Sequence, residues 1–530
     1  MDLNASLDHP RADFAYLLPV TQSLPRPVLQ AWRLCLPDIS EPDLTEPELA
    51  QAQMQQRASA QLKLSWLQPR ADEFTCQILH HNDLHQAFEQ QNNEQQNLVL
   101  QLFARVGQLR AQNPESLWFS AGDDHGASAY DQLWLHKGRS LIYEQYRQLG
   151  LTALVPGNHD FDYGFERWQQ QLAQQGLLAV VQNLGLAEYQ PLVLQLATGR
   201  ILLLGLSTHE GTEDRGLNHN NPVTQLARWQ PFFAQMDAVV VLSHLGLSKA
   251  ASKHPKDHLA IDDASLLAQL ADSPCPVLII GGHSHTRLHE QQLQPAYQSG
   301  KALLVQAGQH GHYLGHCLWQ DGQWQASLLD LRALPSLKPL SGTEQWLAQA
   351  EQELARLLAL PLPDFTCQLR SAEDWQRLCL HAIGQGIADS GLARVVAVNR
   401  SSFAALPRSG MHTQADLYHL LPYQDELYSL LLTPAQWQQL QDFNQQLEGK
   451  QEGDALLILP CAEQSKQDDP KQPIELLINS YPLLARGGWQ AALGLGINLP
   501  SWRRTQGRSL AMSLRQAVEQ GLAQMTELVI

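Results

Sequence analysis

Val155-Pro156-Gly157-Asn158-His159-Asp160-Phe161-Asp162 packs a glycine turn, an amide, an imidazole and two carboxylates into one short stretch. The preceding Leu151-Thr152-Ala153-Leu154-Val155 reads as a short buried strand, so the polar cluster falls where a strand gives way to a loop. In α/β proteins, ligands bind beyond the carboxyl ends of the strands. Alone, the stretch also fits a plain turn, because Asn and Asp beside Gly commonly make one. Recurrence separates the two readings.

The same design appears five times along the chain. Residues 74–79 read as a strand that ends in His80-His81-Asn82-Asp83-Leu84-His85. Asp83 and His85 alternate, so on an extended backbone both face one side. Residues 116–120 run into Ala121-Gly122-Asp123-Asp124-His125-Gly126. Gly122 permits close backbone approach, and Asp123 has two oxygens with which to bridge two cations. Residues 238–242 are followed by Ser243-His244, and residues 277–280 by Gly281-Gly282-His283-Ser284-His285. Each has a bland alternative: a polar loop with a surface histidine, an Asp turn, or a satisfied structural histidine at 244. The pooled set is Asp83, His85, Asp123, Asn158, His244, His283 and His285. These mixed N and O donors suit Zn, Mn, Fe or Co rather than a calcium cage. They are too many for one tetrahedral site and match two ions sharing a carboxylate. Paired ions activate water and clamp phosphoryl oxygens.

Composition sets the outer bounds. At 530 residues the chain is long enough for two domains or more. A net charge of -17 argues against a nucleic-acid polymer or an anionic membrane as the main partner. A small phosphate substrate stays compatible if metal ions supply local positive charge. Met1-Asp2-Leu3-Asn4-Ala5 is acidic and no long apolar run follows. The expectation is a cytoplasmic protein with no membrane span, or a periplasmic one if the chain is a processed form. Seven scattered cysteines without CxxC suggest neither a disulfide framework nor a thiolate zinc site.

The order DxH, GD, GNHD, H, GHSH resembles the calcineurin-like metallophosphoesterases. Asn82-Asp83-Leu84-His85, Gly157 to Asp162, Gly282-His283-Ser284-His285 and Val305-Gln306-Ala307-Gly308, with Gly311 and Gly315, resemble its 5'-nucleotidase branch, which includes the UDP-sugar hydrolases. That likeness covers roughly residues 74 to 330. It implies one metal held by Asp83, His85, Asp123 and His285, and a second held by Asp123, Asn158, His244 and His283. Asp123 would bridge them. It also implies that His159 is the catalytic histidine and Asp162 its orienting partner, with Asp160 structural. His125, in a loop more compact than is usual in the family, either reaches substrate or fills the loop.

Near residue 335 the pattern changes. Residues 346–360 read as an apolar-striped helix ahead of Pro361 and Pro363, similar to the family's linker helix. Asp416-Leu417-Tyr418-His419-Leu420-Leu421-Pro422-Tyr423, Ile478-Asn479-Ser480-Tyr481 and Gly487-Gly488-Trp489 resemble landmarks of the 5'-nucleotidase C-terminal domain. The resemblance implies substrate binding there. Tyr423 stands at an aromatic position suited to stacking a base, and Trp489 is a further candidate; the alternative is that both are core aromatics. Relatives carry Asn-x-Gly-Gly-x-Arg where this chain has Asn399-Arg400-Ser401-Ser402-Phe403-Ala404. Asn399 is retained, and Arg400 or Arg408 is the candidate replacement for the absent arginine.

The expected fold is α/β: a metallophosphoesterase β-sandwich flanked by helices over 71–335, after an N-terminal extension over 1–70. A linker helix over 336–363 and an α/β substrate-binding domain over 364–530 follow. The expected function is dinuclear metal-dependent release of phosphate from nucleotides. The altered C-terminal loops keep open a 2',3'-cyclic nucleotide phosphodiesterase, a nucleotide-sugar pyrophosphatase or a non-nucleotide phosphoesterase. A metal-stabilised binding protein with little turnover is the alternative outside enzymology. The partner expected is a small-molecule phosphoester.

Overall fold

The computed structural model describes residues 16–20, 23–25, 27–35, 74–126, 128–209, 217, 219–247, 261–288, 297–320, 322–362, 372–388, 390–404, 413–421, 425–449, 455–460, 472–483, 489, 496–497 and 499–525. The chain divides into two compact units, Met1–Ala350 and Glu351–Ile530.

Two sheets form the sandwich of the first unit. The larger runs, in spatial order, Tyr16–Pro19, Gln30–Cys35, Leu192–Leu196, Gly199–Ser207, Ala238–His244, Val277–Gly281, Ala302–Ala307 and Arg287–Leu288. Its middle strands, from Gly199–Ser207 to Ala302–Ala307, are parallel. They are buried along their whole length, which is why 238–242 reads as an unbroken apolar run rather than an alternating one. The smaller sheet runs Gln323–Asp330, Tyr313–Gln320, Cys76–His81, Leu117–Ser120 and Ala153–Leu154. Its last three strands are parallel. All five ligand-bearing loops therefore leave carboxyl ends of parallel strands.

The N-terminal region supplies structure that its sequence did not advertise. Tyr16–Pro19 and Gln30–Cys35 form an antiparallel pair added to the edge strand Leu192–Leu196. Residues 46–61 lie outside the described residues. In chain order, the first strand of the smaller sheet is followed by the helix Leu98–Gln112. Asn97 caps it, its side chain accepting from Leu100 N at 2.9 Å. Asn92 holds 94 and 96 in a turn by accepting from both backbone N–H groups.

In the second unit the sheet order is Leu456–Pro460, Ala393–Asn399, Ile474–Asn479, Glu426–Leu432 and Gly507–Ser513. Helices Ala372–Gly386, Gln414–Leu420 and Leu514–Gln524 contribute to the core cluster on one face. Pro434–Gly449, Ser480–Leu483 and Leu499–Gln506 contribute to the other. No helix among the described residues is long and apolar enough to cross a membrane.

Candidate metal centre

Strand ends from both sheets meet at one place. His244 Nδ1, at the end of Ala238–His244, lies 2.6 Å from the carbonyl of Ala121 in the smaller sheet's loop. Gly157 makes this approach possible: a Cβ there would stand 2.1 Å from Asp123 Oδ1. The loops are zipped together, Asp83 N donating to Gly122 O at 2.8 Å and His85 N to Asp123 O at 3.0 Å.

Two clusters result, Asp83 with His85 and His285, and Asp123 with His244 and His283. Within each, the potential ligand atoms lie within 4.8 Å of one another. The clusters adjoin, since His244 Nε2 is 3.0 Å from Asp123 Oδ2 and 4.0 Å from Asp83 Oδ1. Asp83, His85, Asp123, His283 and His285 all have left-handed backbones, with φ of 52°, 49°, 53°, 68° and 51°. Each such conformation costs about 1–3 kcal/mol in a non-glycine residue and persists where the surroundings impose it. Five in one centre mark a site whose geometry is held at the expense of stability.

The residues fit a divalent-metal pair. His85 Nε2, His244 Nε2 and Asn158 Oδ1 are buried without a hydrogen-bond partner. Buried polar atoms are otherwise nearly always paired, and two ions, one per cluster, would satisfy all three. The opposite nitrogens of both imidazoles are committed, His85 Nδ1 to His125 O at 3.0 Å and His244 Nδ1 to Ala121 O. This turns each Nε2 toward the centre, as outer partners of metal-bound histidines do. Burial alone would raise the Asp123 carboxyl, but the imidazoles of His244, His159 and His85 hold it well below the usual carboxylate range. Burial opposes protonation of His244, yet Asp123 and Asp83 push its pKa up to about 10. The carboxylates thus favour positive charge at this place, which a metal ion would supply.

His159 follows Asn158 directly, and its backbone N–H donates to Asp123 Oδ1 at 2.8 Å. Its Nδ1 lies 2.9 Å from Asp162 Oδ2, and its side chain is 41% exposed.

Three further residues support the ligand loops, among them Asp160, which the resemblance implied to be structural. Asp160 accepts from the backbone N–H groups of Gly157, Asp123 and His125, at 2.8, 3.0 and 3.3 Å. It also pairs with His125 Nδ1 at 2.9 Å, while His125 Nε2 meets Ser140 Oγ at 2.6 Å. His125 is fully buried and fills its loop. Gln306 braces the GGHSH loop, accepting from Thr286 N and donating to Gly282 O at 2.7 Å. His310 packs on the rings of His85 and His285. The proximity of Gly308 and Gly311 was its only signal.

Among the described residues, Trp489, Asn399 and Arg400 are not gathered into an open site. Trp489 is 1% exposed and packs edge-on against Phe443 in the core cluster. The core reading replaces the stacking one, because no ring face is left open. Asn399 is equally buried, accepting from Asn479 Nδ2 and Ser402 Oγ and donating to Ser401 Oγ. Arg400 is exposed, in the short helix Arg400–Ser402. Tyr423 and Arg408 lie outside the described residues.

A sandwich whose parallel strand ends gather two histidine–carboxylate clusters defines a metallophosphoesterase domain. Residues 76–287 match the calcineurin-like phosphoesterase family. It is similar to the 5'-nucleotidase of Mus musculus, 24% identical over 280 residues, covering 47% of this chain and 46% of that one. The Homo sapiens 5'-nucleotidase is 25% identical over 294 residues, 49% of each chain. The chain thus spans about half the length of the curated relatives it matches. Among solved structures, a 5'-nucleotidase described as putative from Staphylococcus aureus shares the fold with a TM-score of 0.61 at 16% identity, over 85% of this chain and 97% of that one. The family implies divalent metals, and the two clusters are the candidate ligand groups.

Proposed function

We propose that this protein is a dinuclear metal-dependent phosphoester hydrolase that releases phosphate from nucleotides. The observation that carries the reading is the adjacency of the two clusters to a half-exposed His159 braced by Asp162. Asp83, His85, Asp123 and His285 would hold one ion, and Asp123, Asn158, His244 and His283 the other. The ions supply an activated water and positive charge on the phosphoryl oxygens. His159 stabilises the charge that develops on the phosphoryl group or leaving oxygen. Asp162 fixes the ring's orientation and leaves Nε2 to face substrate. Nucleotide substrates are supported by the likeness to 5'-nucleotidases.

One observation favours a second reading of the substrate. The Asn399 amide, a substrate position in the resemblance, is spent on Asn479 and two serines. A cyclic nucleotide, a nucleotide-sugar pyrophosphate or a non-nucleotide phosphoester therefore stands as the alternative on the same centre.

The test is phosphate release with Mn, Zn or Co across nucleoside monophosphates, cyclic nucleotides, nucleotide sugars and an aryl phosphate. Preference for one nucleotide class supports the first reading, and cleavage of the aryl ester alone supports the second. No release with any metal defeats both and leaves a metal-stabilised binding protein.

A further inference from the structure

His310 lies outside both ligand clusters, yet its backbone and its ring are built into their rim. Its N–H donates to the carbonyl of Asp83 at 2.8 Å. Its φ of 54° is left-handed, like those of the ligand residues, and it sits between Gly308 and Gly311 at φ 70° and 69°. The protein thus holds a non-glycine residue in a costly conformation beside the centre, a pattern that clusters at functional sites.

The ring faces the same way as the ligands. Its centroid is 5.6 Å from that of His85, at an edge-on 75°, and 6.3 Å from that of His285. His159 meets His85 in the same edge-on manner, at 5.3 Å and 71°. His85 therefore meets three imidazoles edge-on: His285 of its own cluster, His159, and His310. His310 is only partly buried, and its ring meets imidazoles, with no hydrogen bond to another described residue. Its ring N–H is available to a ligand.

We propose that His310 is a second substrate-facing imidazole of this centre, donating a ring N–H to a phosphoryl oxygen of the phosphoester gathered at Asp83, His85 and His285. This rests on the hydrolase reading and adds a substrate contact on the opposite cluster from the one His244 serves. Such a hydrogen bond holds phosphate in the ground state as well as during reaction, so its loss shows in binding.

The experiment compares metal-loaded wild type with His310→Gly and His310→Gln. Glycine accepts the left-handed backbone and removes the ring, whereas glutamine keeps a side-chain N–H. Three quantities are read: bound metal per chain, the Kd for inorganic phosphate by calorimetry, and KM against kcat for an aryl phosphate. The expected result is unchanged metal content, a phosphate Kd weakened about tenfold in His310→Gly with KM rising in step, and partial recovery in His310→Gln. Unchanged phosphate affinity in His310→Gly overturns the proposal. Loss of metal from that variant also overturns it, since His310 would then act through the ligands. If wild type itself takes up no metal, the hydrolase reading falls and this proposal with it. If wild type binds metal and phosphate and His310→Gly does so equally well, only this proposal falls.

Discussion

His159 Nδ1 and Asp162 Oδ2 stand 2.9 Å apart, and the His159 side chain is 41% exposed, against 18% for Asp162. Removing an acid–base group of this kind costs about 10²–10⁴ in rate. His159→Ala is expected to keep its full metal complement and lose turnover in that range. Metal analysis beside kcat checks this, and wild-type rates in the variant would remove His159 from the chemistry.

Asp123 contributes to the centre with both oxygens, Oδ1 accepting from His159 N and Oδ2 lying 3.0 Å from His244 Nε2. Asp123→Ala is expected to lose both ions, because the carboxylate shared between them is gone. The check is the metal-induced rise in Tm: ligands that bind only the folded state at 100 times Kd add about 2.7 kcal/mol. Wild type is expected to show that rise and Asp123→Ala none. An undiminished rise would mean the ions sit elsewhere.

Asp160 has the structural role that the resemblance implied. It accepts three buried backbone N–H groups drawn from two ligand loops. Asp160→Ala leaves those donors unpaired, at about 1–3 kcal/mol each. The variant is expected to unfold at lower denaturant and to bind metal more weakly, whereas Asp160→Asn retains an acceptor and loses less. Equal stability of Asp160→Ala and wild type would contradict this.

What was legible in the sequence follows a physical line. The strand ends could be read because parallel strands buried on both faces are written as apolar runs, as in 238–242, with polar residues starting where burial ends. Boundaries slipped where pairing outran polarity: Cys76–His81 takes in His80 and His81, which pair with Phe119 and Ser120 despite their polar side chains. The braces were legible only in part. The resemblance implied a structural Asp160, but its contacts to the 123–125 loop, like those of Gln306 and His310, join segments distant in the chain, and no local spacing encodes those. For the same reason the sequence left Trp489 open between stacking and core, and did not show that the Asn399 amide is occupied, since a landmark residue looks alike whether it faces a ligand or the core.

The second unit yields a contrast between stability and affinity. Asn479 Nδ2 donates to Asn399 Oδ1, Ser402 Oγ and Asp425 Oδ2, in a network buried at strand ends. Asn479→Leu is expected to destabilise the protein by about 2–3 kcal/mol, because it orphans buried acceptors. Asn399→Ala is likewise expected to lower stability and leave KM for a nucleotide within about twofold, as its amide is already occupied. Denaturant melts and steady-state kinetics on both variants decide the point, and a raised KM at unchanged stability would restore Asn399 as a substrate residue.

His80 sets an acid limit on the fold. It is fully buried, and both ring nitrogens lack a hydrogen-bond partner. A Cβ on Gly315 would stand 2.0 Å from its Nε2, so the ring fills the space beneath that glycine. Burial, reinforced by His81 and His316, brings its pKa down to about 3. In the unfolded chain the same imidazole titrates near about 6.5. Between about pH 6.5 and 3 the unfolded state takes up a proton that the folded state refuses, so acid favours unfolding at up to about 1.4 kcal/mol per pH unit. Above that window the group contributes no pH dependence. Metal ligands also protonate on acidification, so the comparison uses metal-free wild type and metal-free His80→Leu. The variant is expected to show a shallower loss of stability from pH 6.5 to 4.5, whatever its absolute Tm, because every other titrating group is common to both. Parallel slopes would show that His80 is not the group that sets the limit.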